Sequence, residues 1–281
     1  MFRPMALAAR ARNEIFAANR AVGRVAFEVT AARGKSGPAR VHETGSLRVR
    51  FPNTASAATL DAVIVNTAGG MTGGDRFDID LAVGAGAHLT ITTAAAEKVY
   101  RSLGPQATIG VKLKVGAGGT LAWLPRETIL FDRVWLHRTV DVDLIPGANL
   151  VLAEAVIFGR SAMGETVVSG NFFDQWRVRM NGKLAFAETL HLDGPIAQRL
   201  SETAAARASH AIASVLKIPG EEATVAAVRA IEQNFAGEVG VSAWNGLMAA
   251  RLVAPDGAAL RHDLASALTA MGVTMPRLWL N

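Results

Sequence analysis

Three stretches of the chain repeat one another and restrict it more than anything else in the sequence. They are DIDLAVGAGAHL (78–89), GVKLKVGAGGTL (110–121) and DVDLIPGANL (141–150). Each alternates apolar and polar residues, breaks at a Gly-Ala turn and resumes as an apolar run. Alternation with period two requires strands with one buried face, and Gly-Ala pairs suit tight turns. Leu81, Leu113 and Leu144 are 32 and 31 residues apart. A repeat of that length marks stacked supersecondary units sharing one core. The expected fold is therefore mainly β: layered strands, as a short solenoid or a sandwich.

The flanks agree. Strands are expected at 22–30, 46–52, 62–67, 173–180 and 183–192, the last two joined through Asn181-Gly182, a strong hairpin signal. After about residue 195 the pattern changes. Residues 208–218 and 246–254 read as strands. Residues 221–235 place Val225, Val228, Ile231 and Phe235 at helical spacing behind two glutamates. Residues 256–271 read as a helix capped by Asp256, striped by Leu260, Leu264, Leu268 and Met271 and ended by Gly272. One domain over 1–281 is expected: a β-stack to 195 carrying a mixed α/β portion from 196. RGKSGP (33–38) is expected as a loose loop.

Composition narrows the function. With 29 basic and 24 acidic residues the net charge is +5, spread along the chain. No block of basic residues with aromatics suggests nucleic acid, and no run is long and apolar enough for a membrane span. The first twenty residues lack the apolar stretch of about 7–15 residues that a secretory signal needs. The absence of cysteine removes disulfides and thiolate ligands and fits a cytoplasmic location.

Familiar catalytic and nucleotide motifs fail on inspection. RGKS at 33–36 has Val29 where a P-loop needs glycine, and Pro38 follows instead of a helix. In NTAGGMTGGD, Gly69, Gly70, Gly73 and Gly74 have the wrong spacing for a dinucleotide fingerprint and lead into a strand. They suit positive φ or close backbone approach beside Asp75. GVSAWNG has Trp244 where a nucleophile elbow needs glycine. The six histidines have no metal-site spacing.

Charges inside apolar runs are more informative. Glu154 interrupts LVLAEAVIF; Glu97, Lys98, Tyr100 and Arg101 flank Val99; Arg126 and Glu127 sit inside LAWLPRETILF. A buried carboxylate needs partners to offset its desolvation. Each segment follows the turn of one repeat unit. Stacked units would stack these charges, forming either a salt-bridge network that sets register or a polar conduit.

Taken in order, these segments resemble the UreD (UreH) family of urease accessory proteins. The resemblance runs through Gly69, Gly70, Gly74 and Asp75; Thr92, Thr93 and Lys98 to Arg101; Leu124, Pro125 and Glu127 to Phe131; then Glu154, Gly159, Arg160, Gly164 and Glu165, with GSLRVRFP and PRLW outside them. Thr67, Ala68, Ala94, Glu97 and Arg126 depart from the family's usual residues. The resemblance implies a non-enzymatic maturation factor that binds apo-urease and UreF, joins UreG through UreF and helps deliver nickel. It implies no tightly bound cofactor, only nickel in transit. The expected polar interior comprises Asp75, Glu97, Lys98, Tyr100, Arg101, Glu127, Glu154, Arg160 and Glu165. The late helices and Arg277 to Trp279 are expected to face UreF. Two other classes remain open: a β-rich ligand-binding or assembly protein unrelated to urease, and a hydrolase on a β-scaffold using Asp75 or Glu154.

Overall fold

The computed structural model describes residues 19–53, 58–160 and 163–279. Most of the N-terminal stretch considered for a leader lies outside them. Two sheets face one another. The first runs β14-β13-β11-β8-β5-β1-β2 and the second β16-β17-β15-β12-β9-β6-β4-β3. In chain order these are β1 (Val22–Ala32), β2 (Lys35–Gly45), β3 (Leu47–Arg50), β4 (Thr59–Asn66), β5 (Arg76–Val83), β6 (His88–Thr93), β7 (Glu97–Val99), β8 (Ala107–Val115) and β9 (Thr120–Trp123). There follow β10 (Thr128–Leu130), β11 (Val134–Leu144), β12 (Asn149–Phe158), β13 (Gly170–Met180), β14 (Lys183–Gly194), β15 (Ala211–Ile218), β16 (Glu238–Trp244) and β17 (Leu247–Ala254). The helices are α1 (Ile196–Ser201), α2 (Glu222–Arg229) and α3 (Gly257–Ala270). The fold is mainly β with stacked coils, as the repeats require.

Each repeat unit is one coil. A strand of the first sheet crosses the Gly-Ala turn into a strand of the second, and the chain then returns. β5, β8 and β11 pair in parallel, as do β6, β9 and β12. Short β7 and β10 pair with each other on the return path, and β10 also pairs with β12. The first two units align as expected, with Leu81 opposite Leu113. The third is offset: Leu113 lies opposite Val142, and Leu144 opposite Val115. All three turns have four residues (84–87, 116–119 and 145–148), but the third holds its Gly-Ala pair two positions later in the turn, so matching the Gly-Ala letters slides the strand by two. Because two is the pleat period, the inward face is unchanged.

Between the sheets lie Phe27, Leu81, Leu113, Leu121, Leu136, Leu152, Phe158 and Phe172. A second core forms where α2 and α3 cover the outer face of the second sheet, with Val225, Val228, Leu260, Leu264 and Leu268 against Ala153, Ala155, Ala213 and Ala250. Asp256 Oδ1 accepts the Ala258 and Ala259 N–H groups at 2.8 and 2.9 Å, the expected cap. Asn181 and Gly182 both take positive φ, the expected two-residue turn.

Three features differ from the sequence reading. RGKSGP is the tip of a hairpin, with β2 running antiparallel to β1; Arg33 and Gly34 make its turn at positive φ. The helix expected over 221–235 ends at Arg229, and a 3₁₀ turn over Glu232–Asn234 follows. β16 was missed, although Asn245-Gly246 repeats the hairpin signal of residues 181–182. The C-terminal tail is engaged with the fold: the Trp279 indole N–H lies within hydrogen-bonding distance of Thr92 Oγ1 (3.1 Å) and Leu124 O (3.2 Å). No described helix is long and apolar enough to cross a membrane.

Candidate functional site: an ionic tract between the sheets

Along β11 every second residue faces the second sheet: Val134, Leu136, Val140, Val142 and Leu144 are buried. Arg138 has the same parity and is only 2% exposed. Its guanidinium spans the sandwich. Nε and Nη2 donate to the two Asp174 oxygens on β13, at 2.9 and 2.6 Å. Nη1 donates to Glu154 Oε2 on β12 at 2.5 Å and to Thr128 Oγ1 at 3.2 Å. The Trp123 indole N–H holds Glu154 Oε1 at 2.8 Å. Burial works against the charge on Arg138, yet Asp174 and Glu154 outweigh it and hold the group protonated above its ordinary value. Burial pushes the Glu154 carboxyl up; Arg138 and the indole pull it back, and Asp174 adds to the rise.

Polar groups continue on both sides. Toward the open edge, a cavity of about 20 Å³ touches Arg138, Glu154, Asp174, Glu188 and Ser214, room for about one water. At its far wall Glu188 accepts from Ser214 Oγ at 2.9 Å and from Arg251 Nη2 at 2.5 Å. In the other direction Thr128 lies opposite Glu97 on adjacent parallel strands, about 4.8 Å away. The Asn66 amide donates to both Glu97 oxygens, at 2.9 and 3.1 Å. Burial raises Glu97 to about 7, against the Asn66 amide and the Lys98 N–H and with the help of Asp75. A line of polar side chains therefore crosses the interior from Asn66 to Arg251.

The expected site residues divide among several places. Glu154 and Glu97 lie on this line. Glu127 does not: Thr128 faces inward, so its chain neighbour faces outward, where Glu127 meets Arg261 of α3 at 3.1 Å and Arg126 at 3.5 Å. Lys98 is turned out by the same alternation and is exposed. Asp75 is buried in a turn, accepting the Ala21 and Thr72 N–H groups at 2.8 and 2.7 Å.

Tyr100, Arg101, Arg160 and Glu165 lie where the return loops leave β7 and β12. The Tyr100 hydroxyl donates to Gly69 O at 3.1 Å, and its ring meets Phe131 edge-on at 4.8 Å. Arg160 covers Phe131 at 4.4 Å and pairs with Glu165 at 2.5 Å. Gly70 is required here because a Cβ would lie 2.6 Å from the Tyr100 ring. At Gly73 a Cβ would meet Ser102 Oγ at 2.1 Å and Pro105 O at 2.4 Å. The glycines admit close neighbours, as the sequence suggested.

Arg138, Asp174 and Glu188 were missed. The first two could have been found by parity, since each is a charged residue at an apolar position of an alternating strand. Among the described residues no group of three or more His, Cys, Asp or Glu could hold a metal ion. A larger cavity, of about 1020 Å³, lies on the outer face of the second sheet beneath residues 272–277 and touches Asp61, His88, Lys217 and Arg277. None of the expected site residues lines it.

The sequence profile described as UreD urease accessory protein matches residues 21–280. Among relatives, the "Urease accessory protein UreD" of Rhodopseudomonas palustris strain HaA2 is 54% identical over 271 residues, covering 96% of this chain and 97% of that protein. The protein of the same name from strain BisA53 is 52% identical over 267 residues, covering 95% and 93%. That of Bradyrhizobium diazoefficiens is 51% identical over 269 residues, covering 96% and 97%. A match across nearly the whole length, at about half identity, places the chain in the UreD urease accessory protein family.

Proposed function

We propose that the protein is a urease maturation factor: a non-catalytic scaffold that binds apo-urease and UreF, joins UreG through UreF, and helps carry nickel toward the urease active site. Relatives named as urease accessory proteins support the maturation role. The observation that carries the nickel part is the polar line through the interior, where Glu97, Glu154, Asp174 and Glu188 lie along one path between the sheets. With no cysteine in the chain, nickel would meet oxygen and nitrogen donors only. A carrier has to release its ion, and scattered carboxylates hold it more weakly than a closed site would.

Glu154→Gln tests the reading. The substitution keeps the side-chain shape and an oxygen for the Trp123 indole while removing the charge and the acceptor for Arg138 Nη1, which retains Thr128 and Asp174 as partners of the guanidinium. Urease is co-expressed with its accessory proteins and assayed for activity and bound nickel, with complex assembly followed by size exclusion. The expected result is normal assembly with urease activity and nickel content lowered severalfold. Full activation by a normally assembled variant complex refutes the conduit.

A further inference from the structure

Three return loops stack at one rim of the fold. The Ser102 N–H donates to Arg133 O at 2.9 Å, the Arg133 N–H to Ser169 O at 2.8 Å, and Asp132 Oδ1 accepts the Val168 and Ser169 N–H groups. Backbone bonds therefore tie the loops to one another at these residues, yet large apolar side chains are exposed there: Leu103 is 77% exposed, Met163 71%, Val168 61% and, at the start of β11, Trp135 43%. Beside them the Tyr100–Phe131–Arg160 stack forms a rigid aromatic and cationic edge. Burial of such side chains is favourable, and leaving them together in water marks an interaction surface. Aromatic residues, methionine and arginine are also the types enriched in interfaces.

The charges indicate the partner's chemistry. Arg101, Arg133 and Arg160 stand around the apolar residues against Asp132 and Glu165. Asp132 is already engaged by two backbone N–H groups and by Arg133 at 3.7 Å, and Glu165 by Arg160, so the excess positive charge is that of Arg101. Arg101 has no ion-pair partner among the described residues. The surface thus offers positive charge around an apolar centre, on a chain of net charge +5. We infer that this rim is a docking surface for a folded protein that presents an apolar face bordered by acidic residues. The rim continues β7, β10 and β12, which carry Glu97, Thr128 and Glu154 of the ionic tract.

The inference rests on the maturation role proposed above, and UreF and apo-urease are the probes. Each is immobilised and its affinity for the purified protein measured by biolayer interferometry at low and moderate salt. The variants are Leu103→Asp, Arg133→Glu and Trp135→Ala, with Leu184→Asp as an exposed apolar control at the opposite edge. For at least one probe, Leu103→Asp and Arg133→Glu are expected to weaken binding tenfold or more and Trp135→Ala severalfold, with the control unchanged. Binding by the wild type should also fall as salt rises. Rim variants that bind both probes as tightly as the wild type, with unchanged melting temperatures, overturn the docking surface alone, as does equal loss in the Leu184→Asp control. Failure of the wild type to bind either probe overturns the maturation role and the docking surface with it.

Discussion

Glu97 should make the fold weaken as the pH rises. Its carboxyl lies inside the sandwich with the Asn66 amide and one backbone N–H for company, and burial raises its pKa from 4.5 to about 7. The unfolded chain releases this proton near the ordinary value, while the folded chain keeps it until about pH 7. Between these values the native state binds more protons, so its stability falls with increasing pH and then levels off. A shift from 4.5 to about 7 corresponds to about 3 kcal/mol lost by pH 8. Glu97→Gln removes the titration. One Asn66 hydrogen bond is sacrificed, about 1 kcal/mol, because the glutamine amide offers a single oxygen. The variant should therefore be more stable than the wild type by about 2 kcal/mol at pH 8, with the advantage vanishing near pH 5. Urea denaturation at pH 5, 6.5 and 8 measures the difference. An advantage that stays constant over this range, or that grows toward pH 5, refutes the argument.

The other perturbations follow from single features. Arg138→Met leaves Glu154 and Asp174 buried without their cation and should cost about 3–5 kcal/mol in urea denaturation at pH 7; replacing both acids by leucine in the same variant should restore most of it. Asp256→Ala removes the two N–H acceptances that start α3 and should cost about 1 kcal/mol by the same method.

The legible part of the fold was whatever local chemistry specifies. Alternation around the Gly-Ala turns gave the coils, the Asn181-Gly182 pair gave its hairpin, and Asp256 with the leucine stripe gave α3. What escaped notice depends on distant partners. β2 carries few apolar residues and is ordered by pairing along the edge of β1. The extended length expected for α2 followed from Ile231 and Phe235, yet the helix ends at Arg229 and Phe235 packs against the second core from extended backbone. For the site, Glu154 was visible because it breaks an apolar run. Its partner Arg138 was hidden because WLHRTVDVDL is polar at alternate positions anyway, and only parity separates an inward arginine from an outward histidine.

Parity also explains why the charges separate as they do. Adjacent residues of a strand face opposite sides, so Glu97 and Lys98, or Thr128 and Glu127, cannot join one cluster however closely they stand in sequence. In-register parallel stacking then carries each choice along the sheet: inward acids meet inward partners, and outward ones meet helix or solvent. Around Arg138 the inner charges partly cancel. At Arg138 two carboxylates face one guanidinium, leaving one excess negative charge at most, less when Glu154 takes up a proton. For a divalent cation carried along this path, Arg138 would reduce the local attraction to roughly half of what the two acids alone would exert at similar distances. Under the proposed carriage role, a structural arginine placed there would keep the interior folded while preventing the acids from becoming a tight metal site.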